Sequence, residues 1–293
     1  QDVMIFGQGI GELYINDGNL NFTLDSNEPF LGTEKSAALI CDADSDGDMD
    51  IVLTGENDYK PTSVLYVNNG SGIFTEATGS AFVSVSLSTM AFSDIDGDND
   101  QDVILTGHHS PADVNTRIYL NDGTGIFSIY QGGVMNGVIW GDIDFSDVDG
   151  DSDQDFIITG SGSTELYINT NGSFSKKSGT TFLGVERSSV SFCDVDNDGD
   201  NDVLISGEIN SSVNRKAKLY FNDGSGNFNE DTVNSFIGLE QSSIDFGDID
   251  NDGDYDVLIT GRSAINSYNS DLYINDGGGV FTLDSNTPFT GVY

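Results

Sequence analysis

Five stretches of nine residues carry aspartate at every odd position: "DADSDGDMD", "DIDGDNDQD", "DVDGDSDQD", "DVDNDGDND" and "DIDNDGDYD". They place Asp42, Asp44, Asp46, Asp48 and Asp50 in the first loop, and Asp94, Asp96, Asp98, Asp100 and Asp102 in the second. Asp147, Asp149, Asp151, Asp153 and Asp155 form the third. Asp194, Asp196, Asp198, Asp200 and Asp202 form the fourth, and Asp248, Asp250, Asp252, Asp254 and Asp256 the fifth. Carboxylates held about 4 Å apart repel by roughly 1 kcal/mol per pair in water, and by about 4 kcal/mol at an effective dielectric near 20. A bound dication turns that cost into attraction. The donors are all oxygen, and the 1-3-5 alternation with a carbonyl at position 7 is like the first half of an EF-hand loop. The expected ligands are the side chains at positions 1, 3, 5 and 9 and the carbonyl at 7. Calcium is favoured over magnesium because it accepts six to eight oxygens in flexible geometry. Position 6 holds Gly47, Asn99, Gly199 and Gly253, residues suited to a left-handed turn, with Ser152 the exception. A solvated acidic turn without metal is the competing reading of one loop. Five loops in phase argue against it.

Each loop is followed by an apolar run ending in glycine, and these runs recur along the chain. The glycines are Gly7, Gly55, Gly107, Gly160, Gly207 and Gly261, spaced 48, 52, 53, 47 and 54 residues apart. A second landmark, "LYIN" and its variants, carries Tyr14, Tyr66, Tyr119, Tyr167, Tyr220 and Tyr273. An Asn-Asp-Gly-type turn and a Phe follow each: Phe22, Phe74, Phe127, Phe174, Phe228 and Phe281. Short alternating strands joined by such turns are hairpin signals, and no segment shows sustained helical periodicity. A repeat of about 50 residues with four strands predicts an all-β chain, a β-propeller whose blades stack because none buries both faces alone. The repeated Tyr and Phe are then expected in the core between blades. The sequence predicts one propeller domain over 1–293, with blades at about 1–30, 31–84, 85–131, 135–183, 185–237 and 239–290.

The loop spacing, set between two strands of a blade, resembles the FG-GAP/VCBS repeat family, which includes the propeller of integrin α subunits and many secreted bacterial surface proteins. The resemblance covers essentially the whole chain. It implies calcium on one face of a propeller and ligand binding, where present, on the opposite face. Integrin propellers have seven blades where six units are counted here. The strand ends "LTG" and "ISG" match the family's Phe-Gly and Gly-Ala-Pro elements loosely.

Gln1-Asp2-Val3 aligns with Gln101-Asp102-Val103, so Asp2 is position 9 of a loop whose earlier positions are absent. The first blade is therefore expected to show its outer three strands and lack its inner one. The ending "FTGVY" aligns with "FLGVE" just before a first strand. A fragment of a longer protein is the favoured explanation, with completion by another segment or a seven-bladed ring as alternatives.

With 49 acidic and 10 basic residues the formal charge is −39, which argues against nucleic acid or anionic lipid as partner. No apolar run is long enough to span a membrane. No leader is legible, because the chain opens in mid-pattern. Cys41 and Cys193 precede the first Asp of two loops and read as small buried residues, not a disulfide.

Length varies most between the second and third strands, as in "GHHSPADVNTR" and "GEINSSVNRKAK", which marks that face as the binding candidate. His108 and His109 read as exposed residues of a flexible loop rather than catalytic or metal-binding groups. Arg215, Lys216 and Lys218 read as a solvated loop. Trp140 stands where other repeats have Lys35, Arg187 or Gln241. Packing is the favoured role, and a sugar-stacking platform the alternative. Asp142 and Asp144 have no evident role. No catalytic constellation is recognisable. The expectation is a calcium-stabilised extracellular or cell-surface module binding glycan or protein, with other domains of a longer chain as further candidate partners. A polysaccharide lyase or hydrolase and a structural spacer are the alternatives.

Overall fold

The computed structural model describes residues 2–26, 29–79, 81–110, 113–133, 135–209, 214–286 and 289–291. Every element among them is a β-strand. The chain forms two compact units, residues 1–139 and 140–293.

The first unit holds three antiparallel sheets. One contains β1 (Val3–Gly7), β2 (Ile10–Asn16) and β3 (Phe22–Asp25) in that order. The next is β4 (Glu34–Cys41), β5 (Asp50–Asn57), β6 (Lys60–Asn68) and β7 (Phe74–Glu76). The third is β8 (Ser86–Ser93), β9 (Asp102–Ser110), β10 (Asp113–Asn121) and β11 (Phe127–Ile129). A short strand, β12 (Met135–Asn136), expected at the start of the fourth blade, pairs instead with β10.

The second unit repeats the plan three times. Its sheets are β13 (Ile143–Ser146), β14 (Asp155–Gly160), β15 (Ser163–Thr170) and β16 (Ser173–Lys176); then β17 (Glu186–Cys193), β18 (Asp202–Ile209), β19 (Asn214–Asn222) and β20 (Phe228–Glu230). The last is β21 (Glu240–Gly247), β22 (Asp256–Ala264), β23 (Ser267–Asn275) and β24 (Phe281–Leu283). These are the blades of a β-propeller, six in all, and the N-terminal sheet has three strands as its sequence predicts.

The second strands of the four-stranded blades do not alternate. β5, β9 and β14 are buried almost throughout because each lies inside its sheet with both faces covered. Their residues divide between two cores. Ile51 and Leu53 join Leu13 and Phe30 of the preceding blade, whereas Val52 joins Val103 and Leu105 of the following one. In the second unit, Val203 and Ile205 pack with Ile157, and Leu204 packs with Val257 and Ile259.

The repeated Tyr and Phe of the second, third, fifth and sixth blades sit in these cores as expected, whereas Phe22 of the N-terminal sheet is 46% exposed. Phe82 meets Tyr119 edge-on at 4.8 Å, and Phe182 meets Tyr220 at 5.1 Å. Such pairs are worth about 0.5–1.5 kcal/mol beyond area burial. Each of these tyrosines also accepts a backbone N–H from the segment entering its blade: Leu31 to Tyr66, Val83 to Tyr119, Leu183 to Tyr220 and Ile237 to Tyr273. The fourth blade differs. Its entering segment has Met135 where others have Phe, and Phe156 stacks on Tyr167 at 4.8 Å. Tyr167 donates to Glu165 instead.

Entering segments cross the preceding blade closely. A Cβ on Gly238 would lie 2.3 Å from the Arg215 main chain. Only glycine fits this crossing.

Candidate metal centres

Each Asp loop joins the first strand of a blade to its second, so within a unit the loops share one end of the strands. Two residues per loop turn left-handed. At position 6, Gly47, Asn99, Ser152, Gly199 and Gly253 all have positive φ. Position 4 does the same with Ser45, Gly97, Gly150, Asn197 and Asn251, a feature not read from the sequence. These turns wrap the loop around its first aspartate. Asp42 accepts the N–H groups of Asp46 (3.1 Å) and Gly47 (3.0 Å). Asp94 and Asp147 each accept three backbone N–H groups of their own loops.

Position 9 has a second task that the sequence did not reveal. Asp50, Asp102, Asp155, Asp202 and Asp256 are buried. One oxygen of each accepts the position-2 N–H, and the other accepts the N–H of the Asn at, or in the fourth blade one residue before, the end of the third strand. For Asp102 the donors are Ile95 and Asn121, both at 2.8 Å. The carboxylate therefore ties three segments of its blade.

Positions 1, 3 and 9 converge. Asp42, Asp44 and Asp50 offer oxygens within 4.8 Å of one another, as do Asp94, Asp96 and Asp102; Asp147, Asp149 and Asp155; Asp194, Asp196 and Asp202; and Asp248, Asp250 and Asp256. Position 5 lies outside these triplets and accepts the position-7 N–H, as Asp46 does from Asp48 at 2.9 Å. The position-7 side chains turn to the Asn-Asp-Gly-type turn. Asp48 Oδ2 lies 2.2 Å from where a Cβ on Gly70 would be, and Asp200 crowds Gly224 likewise.

The triplets are electrostatically unfinished. Oδ1 of Asp44, Asp149 and Asp196 is buried with no hydrogen-bond partner. Buried polar atoms are nearly always paired, so an orphaned carboxylate oxygen beside two other carboxylates suits a cation. Burial, and then the neighbouring aspartates, raise the carboxyls at position 3. Burial pushes Asp102 up to about 6 and Asp155 and Asp202 up to about 7, against the N–H groups that lower them. The five triplets are groups that could hold a metal ion.

Other candidates from the sequence fall elsewhere. Cys41 and Cys193 are free and buried, with burial pushing both thiols up to about 12. His108 and His109 are not in a loop but in β9, where His109 Nδ1 lies 2.8 Å from the Ser84 carbonyl. Hairpin extension in β9–β10 and β18–β19 takes up the length variation. Their turn residues Pro111, Ala112 and 210–213 lie outside the described residues, as do Gln1 and the closing residues 292–293. Arg215 is not solvated. It lies in β19 and pairs with buried Glu240, which also pairs with Arg262 at 2.5 Å. Burial works to raise Glu240, but the Arg215 and Arg262 hydrogen bonds hold it below its ordinary value.

Asp142 and Asp144 gain a role. Asp142 accepts from the Ser189 hydroxyl (3.0 Å) and Val190 N–H (3.1 Å), and Asp144 from Phe192 N–H at 2.8 Å. They bind the edge of β17 in the next blade. Burial pushes Asp144 up to about 6.

Stacked blades with an acidic loop between first and second strands define an FG-GAP-type β-propeller. A profile of the FG-GAP-like repeat matches residues 42–105, 147–205 and 194–259, more than half of the chain, and the chain belongs to this family. No curated protein matches it in sequence. Among solved structures it is similar to an Agrocybe aegerita lectin specific for non-reducing terminal N-acetylglucosamine, with 19% identity and a TM-score of 0.63 over 96% of this chain and 75% of that one. It is similar to Aleuria aurantia lectin, solved with α-methyl-L-fucoside: 12% identity, TM-score 0.50, 97% of this chain and 93% of the other. AofleA of Arthrobotrys oligospora has 11% identity and a TM-score of 0.53, over 99% and 86%.

Proposed function

We propose that the chain is a calcium-loaded propeller that binds carbohydrate outside the cell or at its surface. Calcium would be held by side chains at positions 1, 3, 5 and 9 and the carbonyl at 7 of each loop. The orphaned oxygens of Asp44, Asp149 and Asp196 carry this part of the reading. Weak sites of this kind fill at millimolar extracellular calcium. Carbohydrate as ligand is supported by the two lectins of similar fold. The ligand face is the one opposite the Asp loops, where the hairpins between second and third strands differ in length.

Elemental analysis of the purified chain and a glycan array, with and without chelator, test this. About five calcium ions per chain and a calcium-dependent glycan signal are expected. An array without a positive glycan at saturating calcium would remove the carbohydrate assignment, and a metal-free chain that melts unchanged on adding calcium would remove the calcium one.

A further inference from the structure

One residue near the start of the inner strand has left-handed backbone in five blades: Lys35 (φ 52°), Leu87 (51°), Arg187 (49°) and Gln241 (49°), each second in its strand, and Trp140 (53°), three residues before β13. In four of them a register shift falls at this point, between Glu34 and Ala37, Ser86 and Thr89, Glu186 and Ser189, and Glu240 and Ser243. Bulges of this kind re-aim a side chain. Here the re-aimed residue lies at the strand end away from the Asp loop.

In the second unit these residues are Trp140, Arg187 and Gln241, from three successive blades. Together with Gly141 and Ser188 they line one cleft of about 420 Å³. That is within the size range of small-ligand sites. Trp140 is 40% exposed, unusual for the largest apolar side chain. The Arg187 guanidinium lies 4.5 Å from the centre of its ring. Arg187 Nη1 donates to Glu208 at 2.7 Å, and Nε and Nη2 have no protein partner among the described residues.

The cleft is held rigidly. The Trp140 carbonyl accepts Ser188 N–H at 3.3 Å. The Ser188 hydroxyl donates to Thr159 Oγ1 at 2.9 Å, which also accepts Asp142 N–H at 3.0 Å. Groups fixed before binding lose little entropy on binding.

The chemistry selects a ligand class. An anion meets a chain of charge −39, and Glu208 and Glu240 already offset Arg187. A cation is repelled by the guanidinium over the indole. A neutral ring with an apolar C–H face and hydroxyl groups meets indole, free guanidinium donors and a carboxamide. The geometry points to a site for a neutral pyranose sugar formed by Trp140, Arg187 and Gln241, which rests on the carbohydrate-binding reading above.

Trp140 is the single tryptophan of the chain, so tryptophan emission reports this cleft alone. The calcium-loaded chain is titrated with N-acetylglucosamine, methyl α-L-fucoside and galacturonic acid, following heat and emission together. A neutral sugar should give saturable heat and a saturable emission change with one midpoint, and galacturonic acid neither. Trp140→Ala and Arg187→Ala should each weaken binding about tenfold or more. Gln241→Ala, on an exposed side chain, should weaken it several-fold without changing the melting temperature. Lys35→Ala and Leu87→Ala should bind normally. Saturable heat with unchanged emission, or undiminished binding by Trp140→Ala or Gln241→Ala, would overturn the site while leaving carbohydrate binding intact. Binding of galacturonic acid alone would overturn the ligand class. Absence of heat with all three sugars and of any glycan-array signal would overturn site and carbohydrate reading together.

Discussion

Asn222 donates its side-chain amide to the carbonyl of Val148, 74 residues earlier, at 2.9 Å. Its backbone N–H meanwhile donates to Asp202 Oδ1 at 2.9 Å. One residue thus joins the Asp triplet of its own blade to the Asp loop of the blade before. Asn121 does the same between Asp102 and Ala43, and Asn275 between Asp256 and Val195.

Asn222→Ala leaves the buried Val148 carbonyl without this donor. The expected loss is about 1–3 kcal/mol in urea unfolding. The backbone N–H to Asp202 survives the substitution, so calcium should weaken at the 147–155 loop of the blade before. Calorimetric titration showing calcium binding at that loop unchanged would refute the linkage.

Asp196→Asn should act in opposite directions with and without metal. Its Oδ1 is buried and unpartnered. With chelator, removing one of three close carboxylates relieves repulsion, and the variant should melt higher than the parent. With calcium in excess it should melt lower, since a site filled at a hundred times its Kd contributes about 2.7 kcal/mol. Equal shifts of the same sign in both conditions would exclude a cation at this triplet.

The raised carboxyls give a pH dependence of definite sign. Asp102 at about 6, and Asp155 and Asp202 at about 7, hold protons more tightly folded than unfolded. Without metal, their stabilising contribution is complete below the ordinary Asp value near 3.8 and is lost as pH rises through 6 to 7. The chelated chain should therefore unfold at lower urea at pH 8 than at pH 5. Calcium competes with those protons, so its stabilising increment should be larger at pH 8. A chelated chain more resistant to urea at pH 8 would contradict this.

Asp144→Ala removes the acceptor of Phe192 N–H on the edge of β17. A loss of about 1–3 kcal/mol is expected. Asp144→Asn keeps a carbonyl oxygen there and should lose less. Urea melts of the two variants, compared at pH 7, separate the hydrogen bond from the charge. Equal losses would show that the charge matters and the acceptor does not.

The aspartate spacing, the six Tyr and Phe landmarks and the shorter first repeat specified the blades, their three- and four-stranded sheets and the left-handed position 6. These features are local: turn chemistry and side-chain alternation act over a few residues, and repetition makes them legible. Tertiary packing decided the rest. It buried both faces of the second strands in the four-stranded blades, because each serves two cores. It drew Arg215 into Glu240 and set Asp142 and Asp144 on the β17 edge, contacts between residues 25 to 48 positions apart. It placed Arg187 over Trp140. Nothing in the chain near any of these residues names its partner, because the partner is supplied only when one blade stacks on the next.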